Sequence, residues 1–228
     1  MAEVRESGAA AMWSDAGTAR EWMAGDDLET MLALPRRIAM SLAGRDGEVR
    51  RVLDVASGPG AFLEVACDHF AAAEGVWFDV SDVMQEAAEA RLARFGDRVR
   101  FVRGDMAALA QHDVGTGFDL IVSSRATHHL LPAELHEFYA SANRLLRPGG
   151  WLANLDHVGV SEVWEARFKA SRSEFRPSRA SESAHRHDHP RPSLDEHLSG
   201  LQAAQLNDHA IAWSAFYTVL VVARKSAD

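Results

Sequence analysis

From residue 51 onward, short apolar runs alternate with longer stretches whose apolar residues recur every three or four positions. The runs RVLDVA (51–56), GVWFDV (75–80), RVRFVR (98–103), FDLIVS (118–123) and GWLANLD (150–156) predict strands. Helical spacing begins near Ala61, Asp82 and Pro132. Such alternation implies a mostly parallel sheet covered on both faces, with ligand at the carboxyl ends of its strands. The runs AIAW (210–213) and YTVLVVARK (217–225) are separated only by Ser214, Ala215 and Phe216. That is too short for a crossover, so they predict an antiparallel hairpin. Before residue 51, helical segments at 17–24 and 28–43 predict a cap over one end of the sheet, the second carrying Leu32, Leu34, Pro35, Ile38, Ala39 and Leu42. After Pro192, LDEHLSGLQAAQL reads as an amphipathic helix leading into the hairpin. The expected organisation is a single domain over 1–228, with a cap (1–48), a binding core (51–157), a lid insertion with its helix (158–208) and the hairpin (209–226).

Composition narrows the function. With 24 basic and 33 acidic residues, the net charge of −9 repels phosphate backbones, so bulk nucleic-acid binding is disfavoured. Only Lys169 and Lys225 are lysines, and no G-x-x-x-x-G-K-[ST] occurs, which excludes a P-loop hydrolase and leaves little room for Schiff-base chemistry. Cys67 is the single cysteine, so neither an intramolecular disulfide nor a cysteine-based zinc site can form. Without a signal-like start or an 18-residue apolar run, the expectation is a cytoplasmic protein that meets no membrane.

The strongest local signal is Val52 to Gly60, an apolar strand running into a turn of small residues and then a helix. Small residues let a ligand approach the backbone, and the helix amides face whatever binds. A dinucleotide fold would place a third glycine where Leu63 stands, and Asp54 is a poor neighbour for a phosphate. Asp79 closes the second strand 21 residues beyond Gly58, where a carboxylate can bridge two ribose hydroxyls. Gly104, Asp105 and Met106 follow the third strand. Acids at three strands and a G-x-G turn, with no phosphate-binding base, describe a pocket for a nucleoside carrying positive charge.

The segments VLDVASGPG, VWFDVSDVM, VRGDM, DLIVSSRATHHL and NRLLRPGGWLANLDH resemble, in order and spacing, the motifs of class I S-adenosylmethionine-dependent methyltransferases, in their ubiquinone/menaquinone-type branch of small-molecule enzymes. The resemblance covers residues 51–157. It implies a Rossmann-like α/β sandwich: a seven-stranded, mostly parallel sheet with an antiparallel C-terminal hairpin and an N-terminal helical cap. The implied cofactor is S-adenosylmethionine. Gly58 and Gly60, with Ala56 and Ser57 in the same turn, would face its amino-acid portion, and Asp54 its ammonium group. Asp79 would hold the ribose hydroxyls, with Val80, Ser81 and Met84 beside it. Asp105 would take the adenine amine, with Gly104 in the turn and Met106 against the ring, and Ser123, Ser124 and Arg125 would line the methionine end. Ala56 stands where the family often has glycine.

Methyl transfer is an in-line displacement, so the protein aligns the acceptor and removes its proton where it has one. Candidate bases at the ends of strands four and five are His128, His129 and His157, with Asp156 beside the last. The bland readings are helix-capping imidazoles and a hydrogen-bonded strand end. Nucleobase methylation is disfavoured, because neither an Asp/Asn-Pro-Pro-aromatic turn nor a Pro-Cys pair follows the fourth strand.

Residues 161–192 carry seven basic and five acidic side chains, leaving −11 on the rest of the chain. A positive lid over a negative body suggests an acceptor with an anionic group such as a carboxylate; a solvated loop is the plainer reading. His185, His187, Asp188 and His189 invite a metal reading, but Arg186 and nearby prolines favour a polar tip, and no metal is expected. Trp13 and Trp22 either close over the pocket or pack in the core. The leading expectation is therefore methyl transfer to the O, N or C atom of a phenolic, quinone-like or carboxylate-bearing metabolite. A non-methylating regulatory or assembly subunit of the same fold is the alternative, and an RNA methyltransferase a third. Expected partners are a small-molecule substrate and, at most, a second copy of the chain.

Overall fold

The computed structural model describes residues 7–25, 29–175 and 189–227. The expected strands become β1 (Arg51–Val55), β2 (Glu74–Asp79), β3 (Val99–Arg103), β4 (Phe118–Ser124) and β5 (Leu146–His157), and the hairpin becomes β6 (Asp208–Ala215) and β7 (Thr218–Arg224). They form one seven-stranded sheet in the order β3-β2-β1-β4-β5-β7-β6. The pairs among β1 to β5 are parallel; β7 runs antiparallel to both β5 and β6. Chain order reverses between β1 and β4, which makes their carboxyl ends the switch point where α/β folds hold ligands. β5 begins four residues ahead of its expected start, because Leu146 pairs with Phe118 before the Pro148-Gly149-Gly150 turn shifts the register and Trp151 pairs with Leu120.

Helices cover both faces, which is why the central strands read as nearly unbroken apolar runs. On one face α3 (Glu29–Ala43), α4 (Ala61–His69) and α5 (Asp82–Leu92) enclose Val52, Phe62, Leu63, Trp77 and Leu120. On the other, α6 (Pro132–Leu145) and α8 (Leu194–Ala203) enclose Leu53, Val55, Ile121, Phe138 and Leu201. Ser193 and Glu196 close a capping box at the start of α8, satisfying two amides that the helix itself leaves unbonded.

Two regions carry more helix than the pattern predicts. The cap has α1 (Gly8–Ser14) ahead of α2 (Ala16–Gly25). Its GAAAM run shows little amphipathic period, but Ser7 caps it by accepting the Ala10 amide at 3.1 Å. The lid segment begins with α7 (Glu162–Ser173) where a solvated loop was the plainer reading. No helix among the described residues is long and apolar enough to cross a membrane.

Candidate functional site

The turn after β1 is built from inside the core outward. Asp54 lies on the strand face that meets α4 and is almost fully buried. Its Oδ2 accepts from Ser57 Oγ at 2.6 Å and from the Leu63 amide at 3.0 Å, locking the turn to the first helical turn, while Oδ1 is buried without a hydrogen bond. Burial pushes this carboxyl up to about 7, against the hydrogen bonds of Ser57 and Leu63 and the Arg36 charge. Ala56, Gly58 and Gly60 all take positive φ, of 52°, 54° and 79°. At Gly60 a Cβ would sit 2.9 Å from Leu92 Cδ1, so glycine is demanded there by both conformation and space.

The acid ending β2 is tied to the same turn. Asp79 Oδ2 accepts the Gly58 amide at 2.8 Å and Oδ1 the Ser81 amide at 3.0 Å. Burial raises its carboxyl above the ordinary value, in opposition to these backbone donors. Ser81 spends its hydroxyl on capping α5 through the Met84 amide. After β3, Asp105 accepts the Ala107 amide on Oδ1 and the Ser7 amide on Oδ2, both at 2.9 Å, so the acid expected at the adenine also anchors α1. Trp13 of α1 meets Trp22 of α2 edge-on at 5.8 Å and His129 at 5.5 Å, and the Arg125 guanidinium lies 4.5 Å over the Trp22 ring.

These elements enclose a cavity of about 800 Å³, counting its open mouth. Of the sequence-predicted residues, Ala56, Ser57, Gly58, Asp79, Val80, Met84, Gly104, Asp105, Met106, Ser124, Arg125 and His129 line it. Asp54, Gly60, Ser81 and Ser123 stand behind the wall in the positions just described, with Ser123 fully buried in β4. His128, Asp156 and His157 also lie outside the lining. Arg36 and Phe62 are in the wall, with the guanidinium 5.9 Å over the ring, and sequence reasoning missed them. Arg36 was hidden in an amphipathic helix, where an arginine ordinarily marks the solvent face.

Behind His129 runs a buried polar network. His128 Nδ1 meets Asp156 Oδ1 at 2.5 Å, and Asp156 Oδ2 accepts from Thr127 Oγ1 at 2.5 Å and from the His128 amide at 2.9 Å. Burial pushes the Asp156 carboxyl up, but the His128 charge and hydrogen bond, with His157 and Thr127, outweigh it and hold the group well below the usual carboxylate range. Burial drives His157 well below the ordinary imidazole value, helped by His128, Arg172 and Arg125. His157 is therefore neutral near pH 7, with Nδ1 3.0 Å from Thr218 Oγ1. Asn154 extends the network, donating to Thr127 Oγ1 and to Tyr139 OH, which meets His197 Nδ1 at 2.7 Å.

Among the described residues no group of three or more His, Cys, Asp or Glu could hold a metal ion. His185, His187 and Asp188 lie outside the described residues; His189 is described, and its Nε2 is 3.1 Å from the His129 carbonyl oxygen.

Comparison with known proteins bears on this geometry. A family model described as a methyltransferase domain matches residues 52–150, the segment from β1 to the turn within β5. The curated hybrid PKS-NRPS synthetase mpsA of Macrophomina phaseolina (strain MS6) is 32% identical over 111 residues, 47% of this chain but only 3% of that protein. The structure of an O-methyltransferase family protein from Burkholderia thailandensis aligns at a TM-score of 0.72 and 18% identity, over 93% of this chain and 61% of that one. Human N-acetylserotonin methyltransferase, solved with SAM, aligns at 0.67 and 14% identity over 95% of this chain and 58% of that one. Geranyl diphosphate C-methyltransferase from Streptomyces coelicolor A3(2), solved with S-adenosyl-L-homocysteine, aligns at 0.61 and 13% identity over 85% of this chain and 76% of that one. The chain thus spans about three-fifths of the first two of these structures and a small fraction of the curated relative. The likeness to these structures shows the fold, a Rossmann-like α/β sandwich, and the matched segment, residues 52–150, is similar to a methyltransferase domain.

Proposed function

We propose that this protein transfers a methyl group from S-adenosylmethionine to a small-molecule acceptor of the phenolic, quinone-like or carboxylate-bearing kind. The observation that carries the reading is one cavity whose lining includes Asp79 and Asp105 together with Arg125 and His129. The donor set suits the cofactor. Asp79 and Asp105 each keep oxygen lone pairs beyond the backbone amides they accept, enough for ribose hydroxyls and an adenine amine. Asp54, behind the turn with its Oδ1 unsatisfied, supplies the negative charge that favours an ammonium group there, and Arg36 in the wall is the cation for the carboxylate beside it. Val80, Met84 and Met106 supply apolar walls for the adenine. When bound, the cofactor supplies an electrophilic methyl group on a sulfonium.

The chain's own residues would orient the acceptor and take its proton. Among the four candidates, His129 is the base, because it alone lines the cavity. His128 stacks behind it with ring centroids 4.1 Å apart and is held by Asp156, which makes those two positioning residues. Asp156 is itself too weak a base, given how far its carboxyl is depressed. Trp13 and Trp22 shield the reacting end from water. Isothermal titration of the full chain with S-adenosylhomocysteine tests the reading. Binding at micromolar concentration, weakened at least about tenfold by Asp79→Ala, is expected; no binding, or equal binding by the variant, would overturn it.

A further inference from the structure

We infer that Arg172, at the end of α7, is the docking point for a carboxylate on the acceptor; this rests on the methyl-transfer reading and names its substrate class. Arg172 is only 6% exposed. Its Nη1 donates to Tyr217 OH, yet Nε and Nη2 are buried and bond to nothing among the described residues. Those two nitrogens share one edge of the guanidinium, the edge that donates two parallel hydrogen bonds to a planar carboxylate.

The neighbouring charges leave this cation uncompensated. Glu165 accepts from Arg191 at 2.7 Å and from Lys169 at 3.0 Å, and Asp156 is taken by His128 and Thr127. Cations crowd the same place: Arg191 lies 4.8 Å over the same Tyr217 ring that Arg172 covers at 5.1 Å, and Arg125 acts on His157 from the cavity wall, while among the described residues no carboxylate bonds to Arg172. A buried cation without a counter-charge costs more than one paired with an anion, so the site favours an anionic ligand. The position also suits an acceptor. Aromatic contacts run from Tyr217 to His157 at 5.1 Å, to His128 at 5.4 Å and to His129 in the cavity wall at 4.1 Å. Arg172 does not itself line that cavity; this row of rings links it to His129 in the cavity wall.

Equilibrium binding of benzoate, with the full chain saturated by S-adenosylhomocysteine, tests the site against its neutral isostere benzamide. Benzoate is expected to bind at least about 30-fold more tightly than benzamide. Arg172→Met should remove that preference while leaving S-adenosylhomocysteine binding unchanged, and Arg172→Lys, which keeps the charge but not the paired donors, should keep only part of it. Equal affinities for benzoate and benzamide, no benzoate binding up to about 20 mM, full retention in Arg172→Met, or displacement of benzoate by a lower concentration of inorganic phosphate would each overturn the assignment. If Arg172→Met fails to fold, the wild-type preference and Arg172→Lys decide, full retention in the lysine variant counting against the site. Loss of S-adenosylhomocysteine binding in the wild type would instead sink the methyl-transfer reading.

Discussion

Asp79, the last residue of β2, accepts the Gly58 amide at 2.8 Å, and Gly58 in turn accepts the Trp77 indole N–H on its carbonyl at 2.8 Å. The acid at one strand end and the glycine turn after the neighbouring strand are thereby one rigid unit. A ligand that uses both meets groups already fixed at their distance, so little ordering entropy is lost on binding.

Asp79→Ala strips the Gly58 and Ser81 amides of their acceptor. Leaving buried donors unpaired costs about 1–3 kcal/mol each, and for a chain of this size each kcal/mol lowers Tm by about 2–4 °C. Asp79→Asn keeps one carbonyl acceptor and should recover about half of that loss in thermal unfolding. Both variants should bind S-adenosylhomocysteine at least about tenfold more weakly, because an amide is a poorer acceptor for paired hydroxyls than a carboxylate. Wild-type affinity in Asp79→Asn would show that the charge is not used.

Asp54 makes folding and binding respond oppositely to pH. Its carboxyl stands at about 7 in the fold against 3.8 in the unfolded chain, so the folded state holds a proton that the unfolded chain has released. Its contribution to stability is full below pH 3.8 and is lost progressively as pH rises toward about 7. Asp54→Asn removes this loss and should be more stable than wild type above pH 7. The neutral, depressed His157 and His197 act the other way, losing stability on acidification below 6.5, so the difference between variant and wild type isolates Asp54. A ligand ammonium group favours the ionised carboxyl, so S-adenosylhomocysteine should bind more tightly at pH 8 than at pH 6, and Asp54→Asn should flatten that dependence. A flat wild-type profile in titrations across this range would place the ammonium elsewhere.

The sheet was readable because each strand is short, apolar and bounded by turn residues, and because three residues between the last two runs allow only a hairpin. The acids at strand ends were readable for the same reason: a charged residue closing an apolar run has few roles other than the mouth of a pocket. Arg36 was not, since its helix looks amphipathic and nothing local shows that Phe62 would cover the guanidinium. α1 escaped because what it packs on is distant in sequence: its cap Ser7 donates to Asp105, 98 residues away. What the sequence did not show of Asp54 is its burial: period-two alternation places it on the face that meets α4, where Ser57 and Leu63 take one oxygen and leave the other unsatisfied. The lid's net charge pointed to an anion, while Arg172, the residue proposed to meet it, emerges only from burial and missing partners.

His129→Gln keeps a polar group in the wall but removes the titrating nitrogen. With a phenolic acceptor, kcat should fall by about 10²–10⁴-fold while S-adenosylhomocysteine affinity holds within a factor of two or so. His128→Gln should lower kcat less and shift the pH profile, since that ring only positions its neighbour, 4.1 Å away. Single-turnover rates across pH 6–9 measure both effects. Unchanged turnover in His129→Gln would leave proximity alone as the chemistry.

Trp13 joins the cap to the reacting end, touching Trp22 at 5.8 Å and His129 at 5.5 Å. The cap is also tied to the pocket through the Ser7 amide on Asp105, a hydrogen bond worth about 1 kcal/mol, and through the Arg125 guanidinium over the Trp22 ring. Trp13→Ala removes the ring contacts by which α1 meets Trp22 and His129. Entry of the ligand does not need the cap closed, whereas escape needs it open, so the variant should raise the dissociation rate of S-adenosylhomocysteine by about tenfold and leave the association rate nearly unchanged. Stopped-flow measurement of both rates, following intrinsic tryptophan emission in protein and variant, checks this, and equal dissociation rates would show that the cap does not retain the ligand.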